Sequence, residues 1–221
     1  MKRYRWLLGC CLFLSIGMLW AADEPDLRML QQKAAQSRDM EGYVGVCKYL
    51  YQTEENPELL LLYADSIHQL ATKSKKPEQL VEYYIWASEG NFIKGDFQQG
   101  YALKRKAIAL AEKAGLKFAI SQSCCDMGYY CNVDARYDSA RYYFRKGLEA
   151  GEDLSEAGEA CRTMLTNYAS SFLFEGKTDS ALVYTIRASE RSAADKDTAM
   201  LIENLNQLGT IYRRKKDLEN C

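Results

Sequence analysis

Asp138-Ser139-Ala140-Arg141-Tyr142-Tyr143 and Asp179-Ser180-Ala181-Leu182-Val183-Tyr184 are the two stretches whose reading decides the fold. Both open on Asp-Ser-Ala, and both place a tyrosine three residues past the alanine. They lie about forty residues apart. Gly100 stands forty residues before Ala140, and Cys221 stands forty after Ala181. Ahead of each comes a second small residue: Ser88, Gly128, Ala169 and Gly209. A fixed period of this length marks stacked supersecondary units, each burying its apolar face against the next. The pattern therefore predicts a helical solenoid, built for a binding surface rather than a catalytic pocket.

The punctuation between the repeats agrees. Asn56-Pro57-Glu58 reads as cap, first-turn proline and first-turn acid ahead of an apolar run. Lys76-Pro77-Glu78 opens another helix, with Leu80, Tyr83, Tyr84 and Ala87 at helical spacing. Gly95-Asp96 begins a third, over about 97–115, and further breaks fall near Asp134-Ala135, Gly151-Glu152, Gly176-Lys177 and Ala194-Asp195. No proline occurs beyond Pro77 to interrupt them. Roughly ten helices with short loops result, as antiparallel neighbours require. On a common register the first helices of successive pairs begin near 41, 81, 121, 162 and 202. Three of them repeat one stripe: Cys124, Met127-Gly128 and Cys131; Leu165, Tyr168-Ala169 and Phe172; Leu205, Leu208-Gly209 and Tyr212. The second helices answer with Ala140, Phe144 and Gly147, or Ala181, Thr185 and Ala188. Small residues let paired helices approach, and large ones fill the space beside them.

The N-terminus reads as an export signal. Lys2, Arg3 and Arg5 precede an uncharged apolar stretch over 6–20, and Ala21 offers a small residue for cleavage. That stretch is shorter than the ~20 residues of a spanning helix, so an uncleaved membrane anchor is the lesser reading. Leu7-Leu8-Gly9-Cys10 has the look of a lipoprotein acylation box, but only Trp6 separates it from the charges. The mature chain is therefore expected outside the cytoplasm, in the periplasm or cell envelope. Loss of residues 1–21 takes the net charge from −1 to −4. A slightly acidic domain without basic runs is a poor partner for nucleic acid, whose binding rests on phosphate neutralisation.

At this point the pattern resembles the tetratricopeptide repeat: Leu208-Gly209 followed by Tyr212, and Gly95-Asp96-Phe97, are close to that family's elements. The resemblance covers 81–221, with 22–80 as a degenerate N-terminal repeat or cap and the last repeat incomplete. It implies an all-α, right-handed α-solenoid of antiparallel helix pairs, a superhelix with a period longer than the usual ~34 residues. It also implies a concave face lined by the first helices. Carried onto this register, the partner-binding positions are Tyr49, Ile85, Glu89, Tyr129, Thr166, Ser170, Asn206, Thr210 and Arg213. This mixed polar and aromatic set suits an extended peptide or a partner helix. The competing reading makes them ordinary surface residues, with the tyrosines as packing. The family's clamp for a peptide carboxylate needs recurring Lys, Arg and Asn, and only Asn206 and Arg213 qualify. Long-period repeats behind a secretion signal are similar to the sensory regions of exported signalling proteins in Bacteroidetes-type bacteria, which often precede a membrane span and a cytoplasmic output.

No residue set promises chemistry. Cys47, Cys124, Cys125, Cys131, Cys161 and Cys221 remain after signal removal. Cys124 and Cys131 sit about 10 Å apart along one helix, beyond the ~7 Å that a disulfide tolerates. Cys124 or Cys125 with Cys161 is the pairing geometry would allow, but buried free thiols on the core stripe explain these residues better. His68 is the one histidine and has no Cys or acidic partner three or four residues after it. No cofactor, metal or enzyme activity is expected. Two functions remain: an exported sensory or interaction region that binds a protein or peptide, or a free-standing periplasmic scaffold for envelope assembly. Membrane contact would come only through an uncleaved signal or a downstream region. At the C-terminus, Arg213-Arg214-Lys215-Lys216-Asp217-Leu218 is expected to turn into a second helix that is cut short, so the chain reads as a fragment. Leu205, Leu208 and Tyr212 would then expose an apolar face open to self-association.

Overall fold

Helix follows helix in the computed structural model, which describes residues 27–54 and 56–219. Among these residues there are ten α-helices, one short 3-10 turn and no strand. In chain order they are α1 (Leu27–Ser37), α2 (Met40–Thr53), α3 (Pro57–Ser74), α4 (Pro77–Lys94), α5 (Phe97–Ala114), α6 (Lys117–Val133), α7 (Tyr137–Gly151), the 3-10 turn Ser155–Ala157, α8 (Gly158–Phe174), α9 (Thr178–Ala194) and α10 (Thr198–Glu219). The fold is all-α and solenoid-like. The leader expected over 1–21 and the terminal Cys221 lie outside the described residues.

Local chemistry sets the helix ends. Asn56 accepts a hydrogen bond from the backbone N–H of Leu59 at 2.9 Å, and Pro57 follows in the first turn, where its missing N–H costs nothing. Asp96 caps α5 by accepting from Gln99 N at 3.1 Å. Three turns inside repeats share one closing motif. Gly95, Ala135 and Gly176 each adopt positive φ, and the residue after each bonds back to the carbonyl five positions earlier. Only Ala135 carries a Cβ in that left-handed conformation, at φ 56° and exposed to solvent. Ala135→Gly is therefore expected to raise the stability of this turn by about 1 kcal/mol. An unchanged or lower midpoint in chemical denaturation would show that the strain is not there.

The described residues divide into two compact units, 27–167 and 168–219, with the boundary inside α8. In the first, each helix from α1 to α6 packs on its successor, and α2 also reaches α4. Its core joins Val46, Cys47 and Leu50 of α2 to Leu60, Ala64 and Ile67 of α3, and to Val81, Ile85 and Ala87 of α4. In the second, α9 packs on α10 around Leu173, Ala181 and Ile211, and Phe172 stacks on Tyr184 with ring centroids 5.3 Å apart.

The small residues sit where helices touch. A Cβ placed on Gly128 would lie 2.5 Å from Cδ1 of Phe144, and Phe144, Ala140, Ala169 and Ala181 are wholly buried. Two expectations are corrected. First helices begin at Pro77, Lys117, Gly158 and Thr198, four residues, about one turn, before the expected starts. The turn expected over 213–218 is absent, and α10 continues to Glu219. The repeat position held by Gly95, Ala135 and Gly176 falls on Lys216, and the basic run there favours continued helix.

Candidate functional site

A wholly buried lysine stands inside the first unit. Lys104 of α5 occupies the repeat position that holds Phe144 in α7 and Thr185 in α9, and its side chain is wholly buried. Burying an ammonium is costly unless it is paired and hydrogen-bonded. Lys104 donates to Glu89 Oε1 of α4, and at 2.9 Å to Asp126 Oδ2 of α6. The hydroxyl of Tyr130, also on α6, donates to the other Glu89 oxygen at 2.9 Å. Three helices from two successive repeats are thereby tied at one point. Burial works against the Lys104 charge, but Asp126 and then Glu89 outweigh it and hold its pKa above the ordinary lysine value. Burial likewise raises the pKa of Glu89, and the Lys104 charge opposes that shift.

The second unit carries a neutral version at the same three repeat positions. Gln207 of α10, which corresponds to Asp126, donates to Ser170 Oγ at 2.8 Å, and Ser170 corresponds to Glu89. Thr185, which corresponds to Lys104, donates to Gln207 Oε1 at 3.3 Å. These two repeats thus share a polar contact that differs in charge, and the repeat between them places Phe144 at the same position.

Beside Lys104 the first helices of the first unit bring aromatic residues together. Tyr51 of α2 meets Trp86 of α4 edge-on, with ring centroids 6.3 Å apart. The indole N–H of Trp86 donates to Glu82 Oε2 at 2.9 Å, and burial raises the Glu82 pKa. Tyr51 keeps 37% of its surface exposed, yet its hydroxyl pKa is raised well above the ordinary value, first by the Glu89 charge, then by burial, then by Asp126. Tyr129 of α6 is half-buried and packs edge-on against Tyr130, whose ring stacks on Phe92 at 3.6 Å. Tyr51 and Tyr129 with the acids Glu82 and Asp126 form a partly open face along α2, α4 and α6, with the Trp86 ring buried behind it.

The nine positions carried over from the sequence have mixed placements. Ile85, Glu89 and Thr166 are buried: Ile85 in the core, Glu89 under Lys104, and Thr166 with its hydroxyl on the Arg162 carbonyl at 3.2 Å. Tyr49 is half-buried against the α2–α4 core. Tyr129 borders the aromatic face, and Ser170 accepts from Gln207. Asn206 and Arg213 are exposed, while Thr210 is half-buried and donates to the Asn206 carbonyl at 3.2 Å. Tyr51, Glu82, Trp86, Lys104, Asp126 and Tyr130 were not among them. Their signal was present: Trp86, Asp126, Asn167 and Gln207 share the repeat position one residue beyond Ile85 and Thr166.

The remaining reactive side chains are enclosed. Cys47, Cys124, Cys125, Cys131 and Cys161 are all buried. Burial pushes the Cys124 thiol up to about 12 and the Cys131 thiol up to about 11. His68 stacks on Tyr83 with ring centroids 4.3 Å apart. Among the described residues no group of His, Cys, Asp or Glu is arranged to hold a metal ion, and no helix is long and apolar enough to cross a membrane.

No family model matches this chain, and no curated protein matches it. Among solved structures it is similar to the crystal structure of BtubC (BKLC) from P. vanneervenii, with a TM-score of 0.66 over 87% of this chain and 81% of that chain, at 14% identity. The likeness is one of fold: BtubC is a helical-repeat protein, and the two share a solenoid arrangement of helices.

Proposed function

We propose that this chain is a non-catalytic protein- or peptide-binding module of tetratricopeptide type, exported from the cytoplasm as the sensory or interaction region of a bacterial signalling protein. One observation carries the binding reading: Tyr51, Trp86 and Tyr129 come from three successive first helices, and Tyr51 and Tyr129 stay partly open near Glu82 and Asp126 while Trp86 is buried beneath. Aromatic area with an acidic edge suits a segment that supplies apolar anchors and a basic side chain. The non-catalytic reading is supported by the buried thiols and by the imidazole of His68 stacked on Tyr83. Export rests on the charged and apolar pattern of 1–21, and the Bacteroidetes-type setting on the long period behind such a leader.

A surface-displayed random peptide library provides the test. The purified chain is expected to select a family of peptides pairing an aromatic or aliphatic residue with Lys or Arg. Tyr51→Ala combined with Tyr129→Ala should weaken those peptides at least tenfold, a change of about 1.4 kcal/mol. Arg213→Ala checks the other carried-over site. A library that yields no enriched family, or peptides indifferent to these changes, would count against the reading.

A further inference from the structure

Two of the buried cysteines stand at one contact between successive repeats of the first unit. Asn132 of α6 donates to the backbone carbonyl of Asn167 in α8 at 3.0 Å, which fixes the register of one first helix against the next. Cys125 lies seven residues before Asn132, two turns back along α6, and Cys161 lies six before Asn167 along α8. The two are therefore carried to the same level. Their spacing repeats that of a pair in contact elsewhere. Trp86 follows Tyr51, and Cys161 follows Cys125, five positions short of one full period in each case.

A second contact places the sulfur of Cys161. A Cβ on Gly151, at the end of α7, would lie 2.9 Å from Cys161 Sγ and 2.5 Å from Ser121 Oγ. Ser121 is one turn before Cys125 on α6, and residues four apart share a helix face. Cys124 is turned to α7 instead, where its Cβ would lie 3.0 Å from a Cβ on Gly147. Burial raises the Cys125 thiol, and the charges of Asp126 and then Cys161 add to that effect ahead of Cys124, its neighbour in sequence.

We propose that Cys125 and Cys161 form a disulfide that ties α6 to α8 when the chain folds in an oxidising compartment. A small disulfide such as glutathione disulfide is the oxidant. The thiolate of one cysteine attacks it, a mixed disulfide forms, and one glutathione thiolate leaves. The thiolate of the other cysteine then attacks the protein sulfur, which closes the Cys125–Cys161 bond and releases the second glutathione. Each cysteine gives up a proton, each released thiolate takes one, and the oxidant gains the two electrons. Both cysteines are buried, so the exchange takes place while the chain folds or opens locally. The bond closes a loop that contains all of α7, and it removes the freedom of that loop from the unfolded chain. It also fastens the helix that supplies Asp126 and Tyr129. It does not depend on the peptide-binding reading, and its failure leaves that reading standing.

The purified chain, unfolded and reduced, is refolded in a glutathione buffer rich in the disulfide form. Unreacted thiols are then alkylated, and linked peptides are mapped by mass spectrometry. The expected result is a peptide pair joined through Cys125 and Cys161 and lacking two hydrogen atoms. Cys124→Ala should keep that link, while Cys125→Ala and Cys161→Ala should lose it. Urea denaturation separates the bond from packing: the oxidised wild-type chain should unfold at a higher midpoint than the reduced one, and Cys125→Ala should show no such difference. Alkylation of both cysteines in the wild-type chain overturns the proposal, as does a link that joins Cys161 to Cys124. So does an oxidised chain that unfolds at the same or a lower midpoint than the reduced one.

Discussion

Lys104→Met is expected to cost the first unit about 3–5 kcal/mol, because it strips the buried Glu89 carboxylate of its counter-charge. The loss comes less from the missing ion pair than from what stays behind. Glu89 is almost wholly buried, and Tyr130 alone would remain to hydrogen-bond it. Asp126 is about one-quarter exposed and can turn to water. Lys104→Met combined with Glu89→Gln should therefore recover much of the loss, since no uncompensated charge remains and Tyr130 still finds an acceptor. Urea unfolding of the single and double variants decides it. Equal loss in both would mean that shape rather than charge is what Lys104 supplies.

The same residue gives an alkaline signature. Its pKa in the folded chain lies above the ordinary 10.5, so its contribution is fully present below that pH and disappears as the pH climbs through the folded value. Tyr130, also raised above its ordinary 10.0 by burial, destabilises the fold in the same direction once the unfolded chain begins to ionise. Stability should thus fall from about pH 10 upward, and less steeply in the Lys104→Met, Glu89→Gln variant.

The second large effect is expected at Gly128. Substitution by valine would force methyl groups into the wholly buried ring of Phe144, whose Cδ1 already lies 2.5 Å from where a Cβ would stand. The ring cannot swing aside, because α7 holds it in the core and overpacking costs ~1–3 kcal/mol even where some adjustment is available. A loss of at least about 3 kcal/mol is expected. Gly128→Ala with Phe144→Leu should lose less than the two single changes together, since one relieves the clash made by the other. Gly209→Ala, at the same repeat position with open space around it, should show the opposite sign. If all three follow one trend with helix propensity, the packing at Gly128 is not as described.

Much of the architecture was readable because it is written in strong local chemistry. Pro57, Pro77, Gly95 and Gly176 punctuate the chain at fixed places, and Gly128, Ala140, Ala169 and Ala181 mark contacts that only small residues permit. The end of α10 was not readable, because a solenoid period says where a turn belongs and not whether Lys216 will make one. The site was harder. Ile85, Glu89 and Thr166 belong to first helices, as the register requires, but a rotation of one residue, ~100°, separates a partner-facing position from a buried one. Glu89 also looked like a surface acid until Lys104 was seen behind it. A lysine at the position of Phe144 and Thr185 was the available clue, since a charge on a core stripe must find partners there. Tyr51 lay out of reach, because α2 has lost the small-residue pair that anchors the register elsewhere.

Site-specific photocrosslinking in the producing cell bears most directly on the claim that the first-helix face receives a protein or peptide. A benzoyl-phenylalanine in place of Tyr51 sits at the open edge beside Trp86, and one in place of Val183 sits on an exposed stretch of α9 as control. The account predicts a discrete adduct at position 51 that is weakened by Tyr129→Ala and absent at position 183. Equal adducts at both positions, or none at position 51, would contradict it.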